Sequence, residues 1–182
     1  MNSDVRIRLA TSADLPALRA LIPLSVRALS REQYGEAQIE SAVRHVFGPD
    51  TRLIADGTYF VAEAGGEVVG CGGWSRRRTL YGGDQMKGEE DPLLDPAADA
   101  ARIRAFFVHP AWARRGIGSA IMHACLDAAR AAGFRSLELM STLPGVPLYR
   151  AFGFEAQAPV EAVLPDGVAI TFVPMTRASA EG

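Results

Sequence analysis

The sequence predicts a mixed α/β (α+β) fold, in which a mostly antiparallel central sheet is flanked by helices. Three observations favour this fold. Two amphipathic helical patterns come early in the chain, a β-hairpin pattern centred on Gly65-Gly66 follows, and strands then alternate with helices from residue 102 to residue 153. Because the chain has 182 residues and no break in composition, we expect a single domain over residues 1–182.

The first third of the chain predicts one strand and two helices. Val5–Leu9 alternates apolar and arginine side chains, which is typical of a half-exposed strand. Cap-forming residues at 11–14, with Pro16 in the first turn, predict a helix whose leucines recur at helical spacing. A second helix is expected from residue 36 or 37 to Phe47, and Gly48-Pro49 ends it. The segment between the two helices has no clear pattern.

The remainder predicts the rest of the sheet. Residues 58–64 and 67–74 form the hairpin, and residues 102–108 form a strand whose last four residues are apolar, as expected when both faces are covered. The clearest helix spans residues 117–132, with Gly133 after its C-terminus. The other elements are a strand, a short helix and two strands, at residues 136–140, 147–152, 155–164 and 168–175. The predicted order is β-α-α-β-β-β-α-β-α-β-β.

Composition excludes several classes of protein. Hydrophobic residues make up 48% and charged residues 22% of the chain, as in soluble globular proteins, and no apolar run approaches the ~20 residues that cross a bilayer. The chain opens without a signal-peptide pattern, so we expect a cytoplasmic protein with no membrane contact. A net charge of −2 disfavours nucleic acid as a partner. Cys71 and Cys125 support neither a disulfide nor a metal site, and we expect two buried thiols.

The segment from Val108 to Ser119 carries the most chemical information. A buried strand ends, a loop rich in arginine and glycine follows, and a strong helix begins at once. The first N–H groups of a helix lack intrahelical partners and carry about half a positive charge, so they form an anion site. Gly116 and Gly118 leave room for a ligand to approach the backbone. The segment has no lysine for a Walker loop, and Ile121 stands where a dinucleotide fingerprint needs its third glycine.

This segment resembles motif A of the GCN5-related N-acetyltransferase (GNAT) superfamily, Arg/Gln-x-x-Gly-x-Gly/Ala after a strand. Gly116 and Gly118 match the pattern, whereas Ala113 departs from it at the Arg/Gln position. A second stretch, from Tyr149 to Phe154, resembles the Tyr-x-x-x-Gly-Phe of the family's motif B. One helix and one strand separate the two motifs, as in the family, and the resemblance covers residues 59–175.

The resemblance implies a GNAT-like acyl-CoA acyltransferase fold, acetyl-CoA (coenzyme A) as co-substrate and no metal. It implies that the strand edge pairs with the pantetheine arm, through Phe106, Phe107 and Val108. The loop and first helical turn would cradle the pyrophosphate, through Arg114, Arg115, Gly116, Ile117, Gly118 and Ser119. Tyr149 would be catalytic, because a phenol can protonate the departing thiolate. The alternative is that Tyr149 only packs its helix onto the sheet.

The sequence does not identify a general base. Many family members carry a carboxylate on the strand before motif A, but residues 102–108 contain none. Glu63, Glu138 and His109 are candidates by residue type alone, and for each a charge at a strand end or a turn histidine is the more common role. A water chain, or an acceptor amine with a low pKa, would serve as well.

The segment from residue 75 to residue 101 is long for a hairpin connection and rich in arginine and carboxylates. Such a loop is either functional or flexible. As a functional loop, it would form an acceptor-side wall whose carboxylates favour a cationic amine. Trp74 and Tyr81, at its start, would then line the acceptor cleft, although a tryptophan on a strand is more often part of the core.

These observations predict an acetyltransferase that acts on a primary amine of a small molecule or a peptide by direct attack, without a covalent enzyme intermediate. The rival hypothesis is a non-catalytic acyl-CoA-binding sensor or regulatory module, which the missing carboxylate supports. An RNA-acetylating enzyme fits poorly with the net charge. The resemblance leaves open whether the chain forms a homodimer.

Overall fold

A computed structural model of the chain describes residues 4–178. Within them the strands are β1 (Val5–Leu9), β2 (Tyr59–Ala64), β3 (Glu67–Ser75), β4 (Ala101–Val108), β5 (Ser136–Ser141), β6 (Glu155–Ala156), β7 (Val160–Val163) and β8 (Ala169–Ala178). The α-helices are α1 (Leu15–Leu29), α2 (Glu36–His45), α3 (Thr51–Ala55), α4 (Ile117–Ala131) and α5 (Val146–Ala151).

The eight strands form one sheet in the order β1-β2-β3-β4-β5-β8-β6, with β7 also paired to β8. Neighbouring strands are antiparallel except β4 and β5, which are parallel. The sheet is flanked by helices, with α4 over one apolar cluster and α1 and α2 over another. This architecture confirms the predicted fold class. Cys71 and Cys125 are free and buried, one in each cluster, as expected.

The parallel pairing of β4 with β5 is short. Ala101 and Arg102 lie opposite Leu137 and Glu138, and beyond these residues the two strands diverge around a cleft. Since β4 leads into the loop before α4 and β5 leads into α5, both chain segments that carry the predicted motifs begin at this opening. The divergence of the two strands therefore positions the candidate site.

A β-bulge lies in β4 beside the cleft. Cys71 pairs with Phe107 and Gly73 with Arg104, so two residues of β4 oppose one residue of β3. Ala105, inside the bulge, has φ +57°, and its carbonyl accepts a hydrogen bond from the buried Tyr59 hydroxyl at 3.3 Å. The bulge changes the direction of β4 shortly before the strand lines the cleft.

Helix α4 packs closely onto β3 because glycines lie beneath it. A Cβ atom at Gly70 would come within 2.6 Å of the Ile117 side chain, and one at Gly72 within 2.9 Å of Ile121 and 2.8 Å of Phe106. Any side chain at these positions would push the helix away from the sheet. The two glycines thereby set the distance of the α4 N-terminus from the cleft.

Some boundaries differ from those the sequence predicts. Helix α1 continues through Pro23, which costs about 3 kcal/mol in an isolated helix, because its buried face extends to Val26. The sequence analysis missed α3, whose first turn is capped by the Asp50 carboxylate at 3.0 Å from Leu53 N. The strand expected at 155–164 is divided into β6 and β7, and Pro159 between them has no N–H for the ladder.

Candidate active site

The cleft between the diverging strands has a volume of about 360 Å³. Three walls enclose it: the C-terminal half of α1, the end of β4 with the following loop, and the segment that leads into α5. The first turn of α4 also lines the space and points its N-terminus into it. The lining is mainly apolar, and Arg114 is the charged side chain that reaches it.

The N-terminus of α4 is open to a ligand. Its N-cap residue, Gly116, has φ +82°, a left-handed conformation that glycine adopts without strain, and it has no side chain to cap the helix. Arg114 also has a left-handed backbone, at φ +59°. Consequently the first N–H groups of α4 are left for a bound anion, which the helix dipole also favours.

The structure brings most of the predicted cofactor residues to the cleft. Those that line it are Phe106, Phe107, Val108, Arg114, Gly116, Ile117, Gly118 and Ser119. Arg115 does not: its side chain is exposed, and its guanidinium carbon lies 5.1 Å from the ring centroid of Trp112. This cation–π contact stabilises the position of Trp112, and Trp112 does line the cleft.

Ser25 is a lining residue that the sequence analysis missed. It is buried on α1, and its hydroxyl accepts a hydrogen bond from Val108 N at 3.2 Å. The N–H of Val108 therefore points into the cleft, away from the neighbouring strand. A serine on the otherwise apolar face of α1 was the sequence signal that marked this position.

Tyr149 lies at the inner end of the cleft, on α5. Its ring packs edge-on against Phe106, 6.1 Å away, and against the buried Phe154, 6.0 Å away. Burial among these rings raises the pKa of the Tyr149 phenol, and the nearby Cys125 thiol acts in the same direction. The phenol therefore keeps its proton at neutral pH and can donate it.

None of the three candidate bases lines the cleft. Glu63 is paired with Arg8, whose Nε lies 2.8 Å from its carboxylate. Glu138 forms an ion pair with Arg102, where β4 and β5 meet. His109 caps the turn that follows β4: its Nδ1 accepts a hydrogen bond from Ala111 N at 3.0 Å. Each side chain thus has the structural role that its residue type most often has.

A smaller space of about 70 Å³, the inner pocket, continues the cleft past Tyr149. Aromatic and apolar side chains dominate its wall, together with the backbone of the loop after β3. The main side chains are Phe47, Leu80, Tyr81, Arg104, Phe107, Met140, Thr142 and Tyr149. Tyr81, which the sequence analysis expected in the acceptor cleft, lines this pocket. Trp74 belongs to the core instead, against Phe134 at a centroid distance of 6.0 Å.

The long loop is held by ion pairs with α3 and its C-cap and by hydrogen bonds of its own. Arg77 pairs with Asp56 at 2.7 Å, and Asp91 accepts hydrogen bonds from Thr79 N at 2.8 Å and pairs with Arg52 at 3.3 Å. The loop contributes Leu80, Tyr81, Gly82 and Gly83 to the inner pocket. The wall that it forms is thus apolar, and the acidic wall expected from its composition is absent among the lining residues.

Beneath the inner pocket lies a buried charge cluster of Asp50, Arg104 and Lys87. Arg104 Nη2 donates to Asp50 Oδ2 at 2.9 Å and to the Gly82 carbonyl at 2.6 Å, and Lys87 pairs with the other Asp50 oxygen. Asp50 is wholly buried, and Arg104 is 3% exposed. Burial lowers the pKa of Arg104, and Asp50 opposes that shift. The cluster ties the loop to α3 and to β4.

The described residues, 4–178, contain neither a candidate metal site nor a candidate membrane span. No group of three or more His, Cys, Asp and Glu side chains in this range is arranged to hold a metal ion. No helix in the same range has the length and hydrophobicity to span a membrane.

Solved structures of low sequence identity share this architecture. A GCN5-related N-acetyltransferase from Rhodopseudomonas palustris superposes with a TM-score of 0.71 at 21% identity, covering 97% of this chain and 96% of the other. YncA from Salmonella typhimurium, solved with its cofactor acetyl-CoA, gives 0.64 at 18% identity and coverages of 99% and 96%. PaiA N-acetyltransferase from Thermoplasma acidophilum, solved with coenzyme A, gives 0.65 at 15% identity and coverages of 96% and 98%.

These likenesses establish the fold. No curated protein sequence matches the chain. The sequence model of the acetyltransferase (GNAT) family matches residues 24–154, a range that begins within α1 and includes the open N-terminus of α4 and Tyr149. This match extends over most of the chain and contains both motifs and the cleft between them. The protein therefore belongs to the acetyltransferase (GNAT) family.

Proposed function

We propose that this protein transfers the acetyl group of acetyl-CoA to a primary amine of a small molecule or a peptide by direct attack. One observation carries the proposal: a single cleft joins an uncapped helix N-terminus at one end to the Tyr149 phenol at the other. The first feature suits the pyrophosphate of coenzyme A, and the second suits a thiolate leaving group.

The residues of the cleft fit coenzyme A. The pyrophosphate would accept hydrogen bonds from the N–H groups at the start of α4, next to Gly116 and Gly118. The helix dipole contributes at most ~2 kcal/mol, whereas micromolar affinity requires ~8 kcal/mol. Burial of the pantetheine arm along Phe106–Val108 would supply much of the remainder, at about 25 cal/mol per Å² of apolar surface. Ser25, whose hydroxyl accepts the hydrogen bond from Val108 N, would lie beside the arm.

The chemical step needs one proton donor and one acceptor. The amine nitrogen attacks the thioester carbonyl carbon, a C–N bond forms, and the C–S bond breaks to leave the thiolate of coenzyme A. Tyr149 would give its phenolic proton to that sulfur and regain one from solvent. Burial raises the pKa of the phenol, and the same apolar surroundings would raise the pKa of the departing thiol in the same direction.

The second proton, from the attacking nitrogen, would leave to water. The residues that line the cleft and the inner pocket include no carboxylate and no histidine. The same observation supports the second candidate function, a sensor that binds acyl-CoA without turning it over.

A thiol-release assay separates the two functions. The protein is incubated with acetyl-CoA and a panel of amines, amino acids and peptides, and free coenzyme A is measured with a thiol reagent. We expect turnover that depends on an acceptor, and an acetylated amine visible by mass spectrometry. Micromolar binding of acetyl-CoA by calorimetry, with no turnover across the panel, would overturn the enzyme proposal in favour of the sensor.

A further inference from the structure

The inner pocket has a composition that the proposed transfer reaction does not by itself require. Apart from Tyr149, the lining residues that can carry charge are Tyr81 and Arg104, and the carboxylate nearest to them, Asp50, is wholly buried beneath. An acceptor that enters this pocket thus meets aromatic rings, backbone and one guanidinium.

Asp50 does not act as a concealed base. Its Oδ1 accepts from Leu53 N at 3.0 Å and from Lys87, and its Oδ2 accepts from Arg104 at 2.9 Å. Its oxygens accept from two cations and from one helix N-terminus, and the carboxylate is wholly buried, so it is not exposed to a substrate in the pocket.

Aromatic side chains make up much of the pocket lining. Phe47 contacts Phe107 edge-on at a centroid distance of 5.7 Å, and Tyr81 joins them from the loop. Phe106 and Tyr149, which also line the pocket, meet at 6.1 Å. Flat apolar groups bind well among such side chains, because aromatic rings stack or meet edge to face and release water.

The protonation state of the acceptor amine at neutral pH also limits which amines the pocket can use. A lysine-type amine, with a pKa near ~10.4, is neutral in only about one molecule in a thousand at pH 7.4. Its cationic majority would be placed near Arg104, without a carboxylate to pair with it or to remove its proton. A weakly basic amine is neutral at this pH, so it needs no carboxylate to balance a charge and no base to free its lone pair.

On the basis of the proposed function, we infer that the acceptor is a weakly basic amine on a flat apolar body, of the arylamine class, rather than a lysine-type alkylamine. The amine enters the inner pocket among these aromatic side chains, and its nitrogen faces the cleft at Tyr149. The nitrogen attacks without a protein base and passes its proton to water.

Two isomers test the inference on the unmodified protein. 4-Methylaniline and benzylamine have the same atoms and similar shapes, but the first is neutral and the second cationic at pH 7. We expect kcat/KM for 4-methylaniline to exceed that for benzylamine by at least about tenfold at pH 7. The excess should shrink about tenfold per pH unit up to the pKa of benzylamine, because its neutral fraction grows at that rate.

A paired substitution tests the cause. Met140 lies half-buried in the pocket wall on β5, so Met140→Glu supplies the missing carboxylate and Met140→Gln supplies the same shape without charge. Relative to Met140→Gln, the glutamate variant should raise the ratio of kcat/KM for benzylamine to kcat/KM for 4-methylaniline about tenfold or more at pH 7. Circular dichroism and acetyl-CoA affinity confirm that both variants fold.

The outcomes separate this inference from the proposed function. A preference for benzylamine at pH 7, or the same ratio of the two kcat/KM values in both Met140 variants, would overturn the arylamine inference and leave acetyl transfer intact. Binding of acetyl-CoA without turnover of either isomer, or of any other amine in the panel, would remove the proposed function and this inference with it.

Discussion

The cofactor residues predicted for the outer end of the cleft come from one continuous stretch of chain, Phe106 to Ser119, whereas the inner pocket is assembled from separate segments between residues 46 and 149. The outer end offers backbone N–H groups and needs glycines. The inner pocket depends on side chains held by a buried charge cluster whose partners lie 54 residues apart. A site built from backbone tolerates changes in most of its side chains, while a site built from long-range ion pairs can be lost through one of them.

Tyr149 lines both regions, so its removal should have the largest effect. Tyr149→Phe keeps the ring and deletes the proton donor, and kcat should fall by about 10²–10⁴ while the affinity for acetyl-CoA stays nearly constant. Steady-state kinetics and calorimetry measure the two quantities. A fall of less than threefold would assign the proton to water, and a loss of stability and binding together would make the hydroxyl structural.

The next largest effect is expected from a substitution in the buried charge cluster, and it should appear in the free energy of unfolding. Asp50→Ala leaves Arg104 and Lys87 without their counter-charge and removes the cap of α3, so we expect a loss of about 3–5 kcal/mol in the free energy of unfolding, measured by urea denaturation. Glu40→Ala is the matched control, because it breaks an exposed pair with Arg27 and should cost no more than ~1 kcal/mol. Equal losses of unfolding free energy in the two variants would show that the buried cluster contributes no more stability than an exposed ion pair.

Substitutions at the outer end of the cleft, where the cofactor is proposed to bind, should change the affinity for acetyl-CoA rather than the stability of the protein. Gly118→Trp fills the space before the first turn of α4, and acetyl-CoA should bind at least about 100-fold more weakly while the fold is retained, because the pyrophosphate loses its N–H partners. Gly118→Ala is the control: its Cβ would lie 3.2 Å from the flexible end of Leu148, a contact that a small shift relieves. Unchanged affinity in the tryptophan variant would refute the placement.

Arg115 should show the smallest effect, because it is exposed and stacked on Trp112. Arg115→Ala should weaken acetyl-CoA binding by about two- to fivefold at low salt, and the difference should vanish near ~0.5 M salt, where screening is strong. Arg135→Ala removes another exposed arginine, beyond the far end of α4, and should leave binding unchanged. A large, salt-independent loss at Arg115 would show a direct contact with the ligand.

Sequence patterns predicted the elements that form the outer end of the cleft. Helix α4 was predicted to within a residue at its C-terminus, because its apolar face and flanking glycines are local features. Helix α1 was recognised but not followed past Pro23, since only burial of residues such as Val26 compensates for the missing hydrogen bond. The short helix α3 was missed because five residues are too few for a periodic pattern.

Local sequence patterns were enough to predict the fold class, the family resemblance and the segment from Phe106 to Ser119, because hydrophobic period, helix signals and glycine positions act between near neighbours. Only the tertiary structure decided the inner pocket. It paired Asp50 with Arg104, placed Ser25 on Val108 N, and joined Asp91 of the long loop to Thr79 N and to Arg52 of α3. The partners of a buried charge are chosen by the folded arrangement of distant segments, and no spacing along the chain specifies them.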